Sequence, residues 1–279
     1  MGKLIKPSAH IPLIEIRKQR AGMNLVFASG FLFPQKIIGA NYFRDLPAKF
    51  PDALFPNVPV AGAVKERAPK LAEQIRGRFP HGEVHIIAHS MGGLDARYLL
   101  AQNLQCLADR GRVVSLSTIA TPHHGSPVAD LLVGPKPDLL DPRRFAYETV
   151  SRALSQLLAI QFGALGDLTT GFAEQFNRDN PKLDHIRYFA YAGSGNGSFV
   201  LLPTHTYIEF HGKTDEEKTN DGLVSVASAK WPDKLTELPW PTDHLGEVGH
   251  NLNSLDLKLK FDHLAAFDRV VQNALAPTP

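Results

Sequence analysis

Glu83-Val84-His85-Ile86-Ile87-Ala88-His89-Ser90-Met91-Gly92-Gly93 decides how this chain is read. Its first part, Glu83–His89, is a short, nearly continuous apolar run, the pattern of a strand buried on both faces. Met91–Gln105 then follows as an amphipathic, helix-like stretch. A strand that runs through small-x-Ser-x-small straight into a helix is the setting of a nucleophile elbow. The sharp turn lifts the serine oxygen above the sheet, and the small residues let strand and helix backbones pass closely. Ala88 occupies the first position, where that pattern commonly has glycine; as the smallest side chain after glycine it keeps the physics. An ordinary strand-to-helix turn with Ser90 as N-cap would use similar letters, but Gly92-Gly93 behind the serine favours the elbow.

Outward from this stretch, Asn24–Ser29 and Val113–Ala120 read as two more buried strands, and Val64–Arg78 as an amphipathic helix. Strand, helix, strand, helix, strand in succession predicts a mostly parallel sheet with helices on both faces. Its right-handed crossovers bring the loops at the C-terminal strand ends to one edge, where ligands bind. After Thr121 the chain is punctuated by Pro122, Pro127, Pro135, Pro137 and Pro142, followed by helix-like Ala146–Phe162. A crossover needs only about 10–12 residues, so 127–180 reads as an insertion between strands, placed to cover a site. His185–Ala192 returns as a strand, Gly193–Gly197 is a loop, and Leu259–Leu275 closes the chain as a helix with one apolar face. Residues 1–279 are thus read as one large α/β domain, within the size that such a domain reaches.

Composition excludes several classes. With 43% hydrophobic and 21% charged residues the chain has ordinary globular composition, neither disordered nor coiled coil. Thirty basic against 28 acidic residues leave +2, and no long run of like charge suggests a nucleic-acid partner. One cysteine, Cys106, rules out an intrachain disulfide; in the helix-like Leu99–Leu107 it is expected to be a small buried hydrophobe. Met1–Met23 is broken by Pro7, Pro12, Glu15, Arg17 and Lys18 and shows no signal-peptide centre. No run is long and apolar enough for a stable membrane insertion, so a cytoplasmic location is favoured unless a leader has been removed. Oligomeric state is not legible.

A serine hydroxyl needs a base, itself oriented by a carboxylate, and in hydrolases of this architecture the chain order is Ser, acid, His. Asp221, in Asn220-Asp221-Gly222, and His244, in Asp243-His244-Leu245, meet that order and are expected at late strand ends. Asp215 and Asp243 compete as acids, and His250 and His263 as bases; Asp215 stands in a charged run and His263 in the closing helix. Oxyanion donors are expected from the backbone N–H of Met91 and of Phe31, which follows Ser29-Gly30. His123-His124 is a poor metal pair, because adjacent residues rarely aim both rings at one ion.

These segments resemble the bacterial true lipases, in particular the thermophilic Bacillus-type and Pseudomonas/Proteus-type triacylglycerol lipases. The resemblance rests on Val84–Gly93, Ser117–Ser126, Asn220–Val224 and Asp243–Leu245, with weaker echoes in Leu168–Pro181 and the closing helix, all in the family's order. Three departures stand out. Ser29-Gly30 replaces the usual His-Gly of the first oxyanion loop. Gly246 occupies the position, two after the histidine, where the family's calcium site often has an acid. The zinc-bearing insertion of the thermophilic branch has no counterpart. No metal and no cofactor is therefore expected.

The combined expectation is an α/β-hydrolase fold with a helical cap over 127–180. It would cleave carboxylic esters of hydrophobic acyl chains by way of an acyl-enzyme on Ser90, with His244 as base and Asp221 as its orienting acid. Leu32, Leu131, Phe162, Phe172 and Leu245 are expected to contact the substrate, and the apolar cap to meet a lipid interface. An acyltransferase or thioesterase would use the same triad. A non-catalytic binding protein on this fold normally lacks one triad member, and none is lacking here.

Overall fold

Strand β1 (Asn24–Ala28) alternates between two cores. Val26 and Ala28 pack with Leu71 and Ile75 of helix Val64–Arg78 and with Leu99 of helix Gly92–Ala101. Leu25 and Phe27 pack on the opposite face with Phe267, Val270 and Val271 of helix His263–Leu275. The computed structural model describes residues 23–30, 36–37, 40–157, 162–195, 198–250 and 261–277. A two-stranded ribbon, β2 (Lys36–Ile37) and β3 (Ala40–Asn41), follows β1. Strands β4 (Val84–His89), β5 (Val113–Ile119) and β6 (Arg187–Tyr191) complete a parallel sheet of order β1-β4-β5-β6. Register pairs Ala28 with Ala88, His89 with Ile119, and Ile119 with Tyr191, so the strands end together at one edge.

Burial on both faces explains the apolar runs of β1 and β4, whereas β5 carries Ser115, Ser117 and Thr118, and β6, at the edge of the sheet, opens with the half-buried Arg187. Helix Val64–Arg78 turns Val64, Ala68, Leu71, Ala72 and Ile75 inward at helical spacing, and Arg67 lies among them at 0% exposure.

The region 127–180 consists of helices Pro127–Val133, Arg143–Leu157 and Thr170–Asp179 with a 3-10 turn at Phe162–Leu168. Ser126 caps the first, its hydroxyl accepting from Val128 N–H, and Pro127 follows it. Val128, Leu132, Val150, Leu154 and Leu165 form a third core cluster, which also takes in Met91, Leu223 and Leu245.

Two local expectations are corrected. The helix after Ser90 ends at Ala101 because Asn103 adopts the left-handed conformation, φ 47°, and its Oδ1 accepts from Ala108 N–H. Cys106 then stands in a tight turn and is exposed. Downstream, Trp240 N–H donates to Ala192 O at 2.7 Å, joining the segment that precedes His244 to the end of β6.

Candidate active site

Ser90 sits at φ 57°, a left-handed conformation that costs a non-glycine residue about 1–2 kcal/mol. Its N–H donates to Ile119 O at 2.8 Å, and Thr121 Oγ1–H donates to Ser90 O at 2.8 Å, which clamps the turn against β5. The neighbouring small residues are steric requirements. A Cβ at Gly92 would stand 2.7 Å from the carbonyl oxygens of Ala28 and Ser29, and one at Gly30 would stand 2.5 Å from Ser90 Cβ. The end of β1 is thereby pressed against the serine.

Asp221 and His244 arrive from loops. His244 Nδ1–H donates to Asp221 Oδ2 at 2.8 Å, and His244 N–H donates to Asp221 O at 2.9 Å. Asp221 Oδ1 accepts from Leu223 and Val224 N–H at 2.8 and 2.7 Å. Both side chains are buried, and the Asp221 turn lies in an irregular segment between helices Asp215–Lys218 and Val226–Ala229 instead of at a strand end. The segment from Trp240 carries His244 to the edge of the sheet: Ser194 and Gly195 N–H donate to Trp240 O and Thr242 O. Asp243, the competing acid, turns the other way and accepts from Ser198, Leu245 and Gly246 N–H. His250 Nε2–H donates to the carbonyls of Asn41 and Tyr42, and His263 Nε2–H to that of Arg44. Asp215 lies exposed in the first turn of its helix.

Ser90 and His244 line one small cavity of about 40 Å³, together with Val128, Ala129, Leu154, Leu165, Leu168, Leu223 and Val224. A larger cleft of about 620 Å³ lies at the opposite, N-terminal ends of the strands, against Asn24, Glu83 and Arg187, and holds none of these groups. Of the residues expected to meet substrate, Leu131 and Leu245 pack in the third core cluster without lining the cavity. Phe172 stacks on Phe176 at 5.5 Å and lines a separate cleft beside Val64 and Tyr98. Phe172 is turned aside because residues 170–179 form a helix whose aromatic stripe faces helices Val64–Arg78 and Gly92–Ala101. Phe31, Leu32 and the side chain of Phe162 lie outside the described residues. Met91, whose amide follows the serine, is buried.

Four side chains at this site escaped the sequence reading. Arg67, fully buried, donates from Nε to Asp95 Oδ2 at 2.8 Å and from Nη2 to Ser29 O and Gly30 O at 2.8 and 3.2 Å. Its guanidinium thus holds the loop from which the second oxyanion donor is expected. His89 Nε2 lies 2.8 Å from Glu247 Oε2, and its Nδ1 lies 2.6 Å from the Tyr42 hydroxyl. The His89 and His244 rings stand 4.6 Å apart between centroids, with Glu247 Oε2 3.8 Å from His244 Nδ1. Burial, with the charges of Asp221 and Asp243 behind it, pushes the Glu247 carboxyl well above its ordinary range. Burial, helped by His244 and His250, holds His89 well below the ordinary imidazole value. A charged residue on the apolar stripe of a helix was the available signal for Arg67, and a histidine in a doubly buried strand was the signal for His89.

Nitrogens of His89 and His244 and an oxygen of Glu247 lie within 4.8 Å of one another, a spacing compatible with a metal. Each is already engaged in the hydrogen bonds just described, and His244 is the group that Ser90 would need as a base. His123 is equally engaged, with Arg97 Nη1 donating to its Nδ1 at 3.1 Å and Thr118 Oγ1 at 3.1 Å from its Nε2.

No protein-family model matches the chain. It is 33% identical over 199 residues to triacylglycerol lipase 2 of Saccharomyces cerevisiae, covering 68% of this chain and 56% of that one. Against the triacylglycerol lipase of Pseudomonas fragi it is 28% identical over 240 residues, covering 69% and 76%. The lipase BlEst2 of Bacillus licheniformis in mature form superposes with a TM-score of 0.65 at 22% identity, covering 89% of this chain and 91% of that one. The Staphylococcus hyicus lipase superposes with a TM-score of 0.63 at 20% identity, covering 91% and 95%. The structural likenesses speak to the α/β-hydrolase fold.

Proposed function

The chain belongs to the bacterial-type triacylglycerol lipase family of α/β-hydrolases, and from that premise we propose that it hydrolyses carboxylic esters of hydrophobic acyl chains through an acyl-enzyme on Ser90. The observation that carries this is the 2.8 Å hydrogen bond from His244 Nδ1–H to Asp221 Oδ2, beside a serine at φ 57° that lines the same cavity as His244. His244 takes the Ser90 proton as the oxygen attacks the ester carbonyl, then delivers it to the departing alcohol. Water repeats the sequence on the acyl-enzyme. Asp221 keeps the proton of the base on Nδ1, so that Nε2 is free to work. The backbone N–H groups of Met91 and Phe31 receive the oxyanion.

An apolar lining of Leu154, Leu165, Leu168, Leu223 and Val224 supports a hydrocarbon acyl group over a charged one. The cavity, at about 40 Å³, has room for a few waters and not for a long acyl chain. Residues 127–180 therefore act as a cap whose helices must shift before a long chain enters. Leu139, Leu140 and Phe145 of this region, with Phe199 just before helix Leu202–His211 and Phe210 within it, are exposed at 79% or more and suit contact with an aggregated lipid ester. The test is a chain-length series of p-nitrophenyl esters beside an emulsified triglyceride. Hydrolysis rising with chain length and abolished in Ser90→Ala is expected; an inactive wild-type chain on every ester overturns the reading.

A further inference from the structure

Glu247 is the buried acid of this site that the proposed reaction leaves without a task. Asp221, Asp243 and Glu247 are all buried around His244, and the supply of hydrogen-bond donors separates them. Asp221 accepts from Leu223, Val224 and His244, and Asp243 from Ser198, Leu245 and Gly246. Such donor sets stabilise an anion. Glu247 has one hydrogen bond, to His89; the Gly193 backbone lies against its Oε1, but that oxygen has no well-formed hydrogen bond among the described residues. An ionised Glu247 would stand beside two anions with one oxygen unsatisfied. An undissociated acid avoids both penalties, because its hydroxyl donates to His89 Nε2 and only a neutral carbonyl is left bare.

We propose that Glu247 carries its proton at neutral pH and is a positioning residue, donating to His89 Nε2 so that Asp221 is left as the single anion in contact with His244. The proposal rests on the reading of Ser90, His244 and Asp221 as the reactive set. His89 directly precedes Ser90 in the chain. With Nε2 accepting, its Nδ1–H donates to the Tyr42 hydroxyl, which in turn touches Gly30: a Cβ there would lie 2.7 Å from it. One buried chain thus ties together the segments bearing the base, the nucleophile and the loop after β1. A charged Glu247, 3.8 Å from His244 Nδ1, would compete with Asp221 for the Nδ1 proton. The groups facing Glu247 are His89 from β4, Asp221 from its turn, Asp243 and His244 from its own segment, Tyr42, and the Gly193 amide after β6. Only the amide favours the anion among the fixed dipoles, and burial with the two aspartates outweighs it.

Infrared difference spectra of the full chain, wild type minus Glu247→Gln at neutral pH, provide the test, together with the pH profile of kcat/KM. The carbonyl band of an undissociated carboxyl is expected in the wild type and absent from the variant. The acid limb of the profile should stay in place, because glutamine replaces one neutral donor with another, while Glu247→Leu lowers kcat about tenfold or more and Gln restores most of that loss. Absence of the band overturns the proposal. So does an acid limb that moves to lower pH in Glu247→Gln, the direction that removing an anion beside an imidazole dictates. The infrared measurement needs no turnover, so a band in a chain that hydrolyses no ester would overturn the hydrolase reading and leave the protonated acid standing.

Discussion

Arg67 and Asp95 form an ion pair at 2.8 Å with side-chain exposures of 0% and 1%, directly beneath the turn that carries Ser90. Asp95 belongs to the first turn of the helix after the serine, and Arg67 also donates to the carbonyls of Ser29, Gly30 and Pro59. One guanidinium therefore fixes the elbow helix and the loop after β1 relative to each other. Arg67→Met should cost about 3–5 kcal/mol in a urea titration, since it strands a buried carboxylate. In Arg67→Met/Asp95→Leu most of that stability should return while kcat stays low, the loop carbonyls being still unheld. Full turnover in the double variant would show that the loop holds itself.

The same carboxyl predicts how stability varies with pH. Burial raises Asp95 from 3.8 to about 6, against the opposing pull of Arg67. The folded state thus binds this proton more tightly than the unfolded chain, so the favourable contribution is complete below pH 4 and is lost as pH rises to about 6. Unfolding free energy should fall between pH 4 and pH 7.5 more steeply in the wild type than in Asp95→Asn; parallel curves would contradict it.

Ser90→Ala, Asp221→Asn and His244→Ala should each lower turnover by about 10³-fold or more without loss of fold. His250→Ala, His263→Ala and Asp215→Asn should remain within about tenfold, since two of these hold backbone carbonyls and the third is solvated. A dead His250→Ala beside an active His244→Ala would reassign the base.

Chain-length preference should follow the cavity wall. Leu154→Ser and Leu165→Ser should reduce kcat/KM for a dodecanoyl ester more than for an acetyl ester, because each buried methylene is worth about 0.8 kcal/mol. Phe172→Ser should reduce both equally, since Phe172 lines a different cleft. Equal losses in the leucine variants would remove these side chains from the acyl path.

What the sequence revealed was mostly what repeats or turns sharply. The strands around Val26 and Ile86 were legible because burial on both faces leaves a nearly continuous apolar run, and those around Leu116 and Ala190 through their β-branched and aromatic residues. Ser90 was legible through its small neighbours, which the approach of Ala28 and Ser29 demands. Arg67, Tyr42 and Glu247 were not, because single residues from separate segments meet only after folding: Glu247 and His89 lie 158 residues apart. The end of the helix at Ala101 was missed because Asn103 closes it through side-chain hydrogen bonds that helical periodicity does not register.

Leu223 and Leu245, neighbours in sequence of Asp221 and His244, share one apolar cluster with Leu132, Leu154 and Leu165 of the cap region. Parting the cap from that cluster wets hydrocarbon, which carries a positive heat-capacity change. The balance between shut and open forms must therefore bend with temperature. An Arrhenius plot of turnover should curve for a long-chain ester, which needs the cap displaced, and run straight for an acetate, which does not.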